Sequence, residues 1–175
     1  MSPVQIVPLR ADHLDAVLAI EQVSSPEPWT IGIFTDELRD TAMRSFHVAT
    51  VDGVVVGFCG LLMQMAEGHI ANIAVDPSLR GRRIGARLLL QASRVAVARG
   101  AISMTLEVRV SNLAARRLYQ WFGFAPAGVR PRYYRSNNED ALIMWVHDVD
   151  TAAFAQRLAG ISIQLEHEPD RETAS

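Results

Sequence analysis

The chain has no lysine, so all 17 of its strongly basic side chains are arginine. It has one cysteine, Cys59, which excludes an intramolecular disulfide framework and any cysteine-based zinc site. That residue lies inside the apolar run Val54 to Met63 and reads as a buried core residue rather than a reactive thiol. Excess positive charge is also missing. With a net charge of −2 and a pI near 6.2, the chain lacks the overall basic field that non-specific nucleic-acid binding needs, so no direct nucleic-acid partner is expected. No apolar run approaches the roughly 20 residues of a membrane span, and no membrane partner is expected. The start MSPVQIVPLR lacks the charged and apolar regions of a signal peptide, which predicts a soluble, cytoplasmic protein. The five histidines have no metal-ligand spacing with carboxylates. No metal is expected, and His47, His69 and His147 read as strand residues without special duty. There is no internal repeat.

With 175 residues, 49% of them hydrophobic, one compact domain is expected. Val4 to Pro8 reads as a strand. Arg10 to Gln22 reads as a helix capped by Asp12, with Leu14, Val17, Leu18 and Val23 at helical spacing. A proline-broken loop carries Trp29, and a second helix spans Thr30 to Asp40. Phe46 to Val51 and Val54 to Met63 form a predicted hairpin on Asp52-Gly53. His69 to Val75 is a strand, and Ile84 to Arg99 a helix stopped by Gly100. Ile102 to Val110 alternates as a half-buried strand with Glu107 on its polar face. Ser111 or Asn112 caps a helix reaching Phe122, and Phe124 to Tyr134 and Ala141 to Val149 are the last strands. A short helix over Thr151 to Leu158 and a mobile polar tail from Glu166 complete the chain. Residues 1–149 are thus read as the domain and 150–175 as an extension.

The stretch GHIANIAVDPSLRGRRIGARLL, Gly68 to Leu89, runs from a strand through a basic glycine-containing loop into a helix. Unpaired N–H groups at such a helix start form an anion cradle, and Arg80, Arg82 and Arg83 add fixed charge suited to a diphosphate. The segment fits neither the P-loop nor the Gly-x-Gly-x-x-Gly dinucleotide fingerprint. It resembles motif A of the GNAT superfamily of N-acetyltransferases, Arg/Gln-x-x-Gly-x-Gly/Ala, with Arg83 where the family has its first glycine. The composite LEVRVSNLAARRLYQWFGF, Leu106 to Phe124, narrows the resemblance to the ribosomal-protein-alanine N-acetyltransferase (RimI) group. Further matches are Asn72 to Pro77, Pro28-Trp29-Thr30, and Arg132-Tyr133-Tyr134 with Glu139-Asp140-Ala141.

The resemblance implies a mixed α/β fold whose sheet of about six to seven strands is mostly antiparallel. Within it one parallel pair splays apart near Ile73, and about four helices flank the sheet. It implies acetyl-coenzyme A as cosubstrate, its pantetheine arm held by the backbone of Ile73, Ala74 and Val75. Its pyrophosphate would be held by Gly81, Arg82, Arg83, Ile84, Gly85 and Ala86, with Asn112 binding further along. Glu107 is implied as proton acceptor and Tyr119 as proton donor, and Trp29, Tyr133 and Tyr134 as the lining of a groove for a protein N-terminus, that of a ribosomal protein. Taken alone, each residue has an ordinary reading as well. A sheet-face glutamate is usually solvated, a helix tyrosine half-buried, strand tyrosines packed, and a tryptophan in a proline loop a pin to the core. An α-amine costs roughly 3.5 kcal/mol less to deprotonate than lysine, which suits N-terminal acetylation. Transfer to a lysine or small amine, and a non-catalytic acetyl-coenzyme A sensor, remain as alternatives.

Overall fold

A computed structural model describes residues 2–167. The near-continuous apolar run of β3, Val54–Gln64, is buried on both faces, as a central strand requires. On one side it pairs antiparallel with β2, Arg44–Val51, through the Asp52-Gly53 turn, whose φ angles of 50° and 78° give the doubly left-handed turn that matches strand twist. On the other it pairs antiparallel with β4, Glu67–Val75. With β1 (Gln5–Pro8), β5 (Ser103–Arg109), β6 (Ala125–Tyr134) and β7 (Glu139–His147), the sheet has seven strands in the order β1-β2-β3-β4-β5-β7-β6. Among the described residues, only β4 and β5 pair in parallel.

Two cores flank this sheet because β2 alternates: Phe46 and Val48 enter one, Ala49 the other. The first core holds α1 (Leu14–Ser24) and α2 (Ile31–Arg39) through Leu14, Val17, Ile20 and Phe34. The second takes the apolar stripe of α3 (Ile84–Ala98), including Leu88, Leu89 and Ala92. It also takes Tyr119 of α4 (Leu113–Trp121) and four residues of α5, Ala152–His167. Phe46 lies across from Gly60, where a Cβ would stand 2.2 to 2.8 Å from its ring atoms, so only glycine admits this packing.

The C-terminal helix exceeds the expected Thr151 to Leu158. Phe154, Leu158, Ile161 and Leu165 recur at helical spacing and are all buried, and Arg87 Nη2 on α3 donates to the Leu165 carbonyl at 2.5 Å. Glu166 and His167, expected in the tail, are helical; the rest of that tail lies outside the described residues. The structure makes two further corrections. Asp12 sits within a 3₁₀ turn, Ala11–His13, where it pairs with Arg10 and caps no helix. On α1, Val23 is exposed and Glu21 is buried, because the Glu21 carboxylate accepts the Trp29 N–H at 3.0 Å.

Candidate active site

The site begins where the parallel pair comes apart. β4 and β5 are in register only at Glu67/Ser103, Gly68/Met104 and His69/Thr105. Directly beyond, β4 takes an extra residue against β3. Leu61 faces Ile70 and Gly60 faces Asn72, so Ala71 bulges and turns the strand. β5 keeps its full pairing with β7 and does not follow. A cleft of about 480 Å³ opens at this split, bordered by Ile73, Glu107, Asn112, Tyr119, Trp29, Tyr133 and Tyr134 among others. Ile73, Ala74 and Val75 are half-buried and pair with Cys59, Phe58 and Gly57 on one flank, while no β5 residue pairs with them on the other. Backbone groups left this way seek partners, and an extended chain carrying amides is the natural one.

The loop after β4 supplies the second feature. Asp76 accepts the Ser78 N–H at 2.9 Å and turns the chain through Pro77–Leu79. Gly81 follows at φ 82°, and Arg83 sits at φ 57°, the residue preceding α3. The left-handed conformation at Arg83 is one that glycine, the residue of the motif this loop resembles, adopts without strain. The Arg83 guanidinium carbon lies 5.4 Å from the Trp121 ring centroid, and Arg80 Nη2 lies 3.4 Å from Ser24 Oγ. Ile84 and Ala86 bury their side chains in the core, and with Gly85 they form the first turn of α3, whose leading N–H groups have no partner within the helix. Of the two candidate caps for α4, Asn112 is the one used: its Oδ1 accepts the Ala115 N–H at 3.1 Å.

On the opposite wall, Glu107 Oε2 accepts from His69 Nε2 at 2.7 Å, and its Oε1 is 3.4 Å from Arg130 Nη2. The His69 hydrogen bond, aided by the Arg130 charge, holds this carboxyl below its usual range despite partial burial. The reading of His69 as a strand residue without duty is therefore corrected. The signal was its place: parallel pairing with Thr105 puts its side chain on the face that carries Glu107 two residues later. Tyr119 is buried, and desolvation pushes its phenol well above the ordinary value. Burial likewise raises Tyr134 to about 12, although Arg109 lies 3.9 Å from its ring centroid. Tyr133 and Tyr134 meet edge to face at 5.1 Å. Trp29 packs on Phe34 at 5.3 Å and also borders the cleft.

Two contacts hold the rim of the cleft that sequence reasoning did not find. The Ser136 N–H donates to Glu27, tying the Trp29 loop to the β6–β7 turn. Glu139 accepts from the Ser111 N–H at 2.9 Å and from Arg109 Nη1 at 3.3 Å, fixing the entry to α4. Both join residues far apart in the chain through one backbone N–H, a pairing without a sequence pattern. Among the described residues there is no group of three or more His, Cys, Asp or Glu that could hold a metal, and no helix long and apolar enough to cross a membrane.

A sheet split between parallel strands, with an open strand flank leading to a positively charged helix start, suits an extended ligand that carries amides along its length and anionic groups at one end. Residues 14–124 match the family model described as the acetyltransferase (GNAT) family. The chain belongs to that family, and acetyl-coenzyme A is accordingly its acetyl donor. It is 41% identical over 138 residues to a Bacillus subtilis protein named "Putative [ribosomal protein bS18]-alanine N-acetyltransferase", covering 79% of this chain and 91% of that one. Among solved structures, the ribosomal-protein-S18-alanine N-acetyltransferase of Escherichia coli superposes with TM-score 0.76 at 31% identity, over 83% of this chain and 94% of that one. Ard1 from Thermoplasma volcanium gives TM-score 0.77 at 31% identity, over 82% and 97%.

Proposed function

We propose that this protein acetylates the N-terminal α-amine of a protein, the ribosomal protein bS18 or its counterpart, with Glu107 and Tyr119 serving the proton transfers. The observation that carries this reading is the meeting of Glu107, Tyr119 and the open flank of β4 in one cleft. The relatives named for bS18-alanine acetylation support the choice of amine. The donor fits the residues present: the backbone of Ile73, Ala74 and Val75 would pair with its amides, and Gly81 to Ala86 with Arg82 and Arg83 would hold its phosphates. Asn112 would contact it further along the cleft. When bound, acetyl-coenzyme A supplies an acetyl group activated as a thioester.

The chain's own part is to hold the amine and move protons. Glu107 lies at the split, paired with His69, and this pair takes up the proton whose loss turns the ammonium into a nucleophile. Burial keeps the proton on the Tyr119 oxygen, so this phenol is a donor and never a resting phenolate. Trp29, Tyr133 and Tyr134 line the approach, and the Glu27 to Ser136 tie roofs it, which favours an extended chain end. Mass spectrometry of peptides incubated with acetyl-coenzyme A tests this. An Ala-start peptide containing one lysine should gain label on its α-nitrogen, and blocking that nitrogen should abolish it. Label persisting on the blocked peptide would move the function to lysine.

A further inference from the structure

The Glu107 carboxylate accepts one hydrogen bond and shares one ion pair. Oε2 stands 2.7 Å from His69 Nε2, and Oε1 stands 3.4 Å from Arg130 Nη2. An ionised carboxylate only accepts, so the hydrogen of that short bond is on Nε2 and the lone pair of the neutral imidazole is on Nδ1. The His69 side chain is 28% exposed against 14% for Glu107, so of the two groups the imidazole stands more open to the cleft they both border. A carboxylate that accepts one short hydrogen bond and faces an arginine charge is a weakened base, but it is well suited to fixing an imidazole tautomer and stabilising the imidazolium.

We propose that the atom taking the proton from the incoming α-ammonium is Nδ1 of His69, with Glu107 as its orienting partner. The inference rests on the reading of the cleft as an α-amine site. In this step one N–H bond of the ammonium breaks and the Nδ1–H bond forms. The positive charge passes from the amine to an imidazolium already paired with Glu107, and the proton returns to solvent through the cleft after transfer. The register explains the placement. His69 is the last residue of β4 in register with β5, so its side chain stands at the head of the cleft and still reaches the next polar position of β5.

The test compares His69→Gln with His69→Ala, using an Ala-start peptide, in steady-state kinetics. Glutamine still donates an N–H to Glu107 but cannot take up a proton. If Nδ1 is the acceptor, both variants should lose roughly 100-fold or more in kcat, while acetyl-coenzyme A binding, measured directly by calorimetry, stays within about twofold. That binding also certifies that each variant is folded. Retention of kcat within about threefold by His69→Gln would overturn the proposal and leave His69 as a holder of Glu107. Absence of α-amine acetylation by the unaltered protein would overturn it together with the reading on which it rests, and that result is seen before any variant is made.

Discussion

Phe34→Ala should loosen one wall of the cleft and leave the cofactor wall intact. Phe34 is 0% exposed and is the only buried residue of α2. Its ring meets Trp29 at 5.3 Å, Phe46 at 6.3 Å and Phe58 at 5.5 Å, so one side chain fastens both the helix and the loop before it. Truncating a buried phenylalanine costs about 3–5 kcal/mol, and the loss of three aromatic pairs places this case in the upper half of that range. For a chain of this length, each kcal/mol lowers Tm by about 2–4 °C, so a fall of roughly 8–20 °C is expected in thermal unfolding followed by circular dichroism. Function should split. The cradle stands on α3 in the other core, so acetyl-coenzyme A affinity should hold while the peptide KM rises with the freed Trp29 loop. A stability loss under about 1.5 kcal/mol would refute the single-anchor argument. An equal fall in cofactor affinity would refute the separation of the two walls.

Gly60→Ala should cost about 1–3 kcal/mol or more in urea unfolding, because its Cβ would press into the Phe46 ring, and adding Phe46→Leu should restore part of it. Arg83→Gly should be more stable than Arg83→Ala by about 1 kcal/mol: both lose the Trp121 contact, and only glycine relieves the left-handed backbone. Glu139 is held down to about 2, chiefly by the Ser111 side chain, then by the Ser111 N–H, and further by Asn137 and Arg109. Its folded value lies below the unfolded carboxyl value of about 4.3, so its contribution is complete above that pH and disappears as pH falls toward 2. Acid titration of Glu139→Gln beside the unaltered protein should therefore show a stability gap that closes through that window.

Local signals in the sequence were sufficient for most elements. The Asp52-Gly53 pair demanded a hairpin, the β5 alternation placed Glu107 on a polar face, and glycines after α3 and α4 stopped those helices with φ of 89° and 94°. Where a residue's partner lay far off in the chain, the signal failed. Nothing in the sequence marks Glu21 as buried; its burial follows from the Trp29 N–H, eight residues on, which needs an acceptor. The second half of α5 was overlooked because its stripe is sparse: Ile161 and Leu165 continue the spacing set by Phe154 and Leu158, but polar residues dilute it. Arg83 was visible as a departure from a glycine pattern, and its physical meaning, a left-handed arginine packed beside Trp121, needed the helix start in three dimensions.

The cleft itself illustrates why candidate residues can be read from a sequence without the geometry that joins them. Its chemistry depends on where two parallel strands stop pairing, and no residue type marks that point. Pairing ends at His69/Thr105, and the Ala71 bulge in β4 carries that strand away while β5 stays bound to β7. One departure from register has two consequences. It leaves the backbone of Ile73 to Val75 without a strand on one flank, and it lets the His69 ring reach Glu107 across the opening. The open strand flank and the His69–Glu107 pair thus come from the same event, which fixes them relative to each other. Removing the bulge by deleting Ala71 would extend the β4–β5 ladder past His69, and by this argument cofactor binding and the His69–Glu107 contact would be lost together.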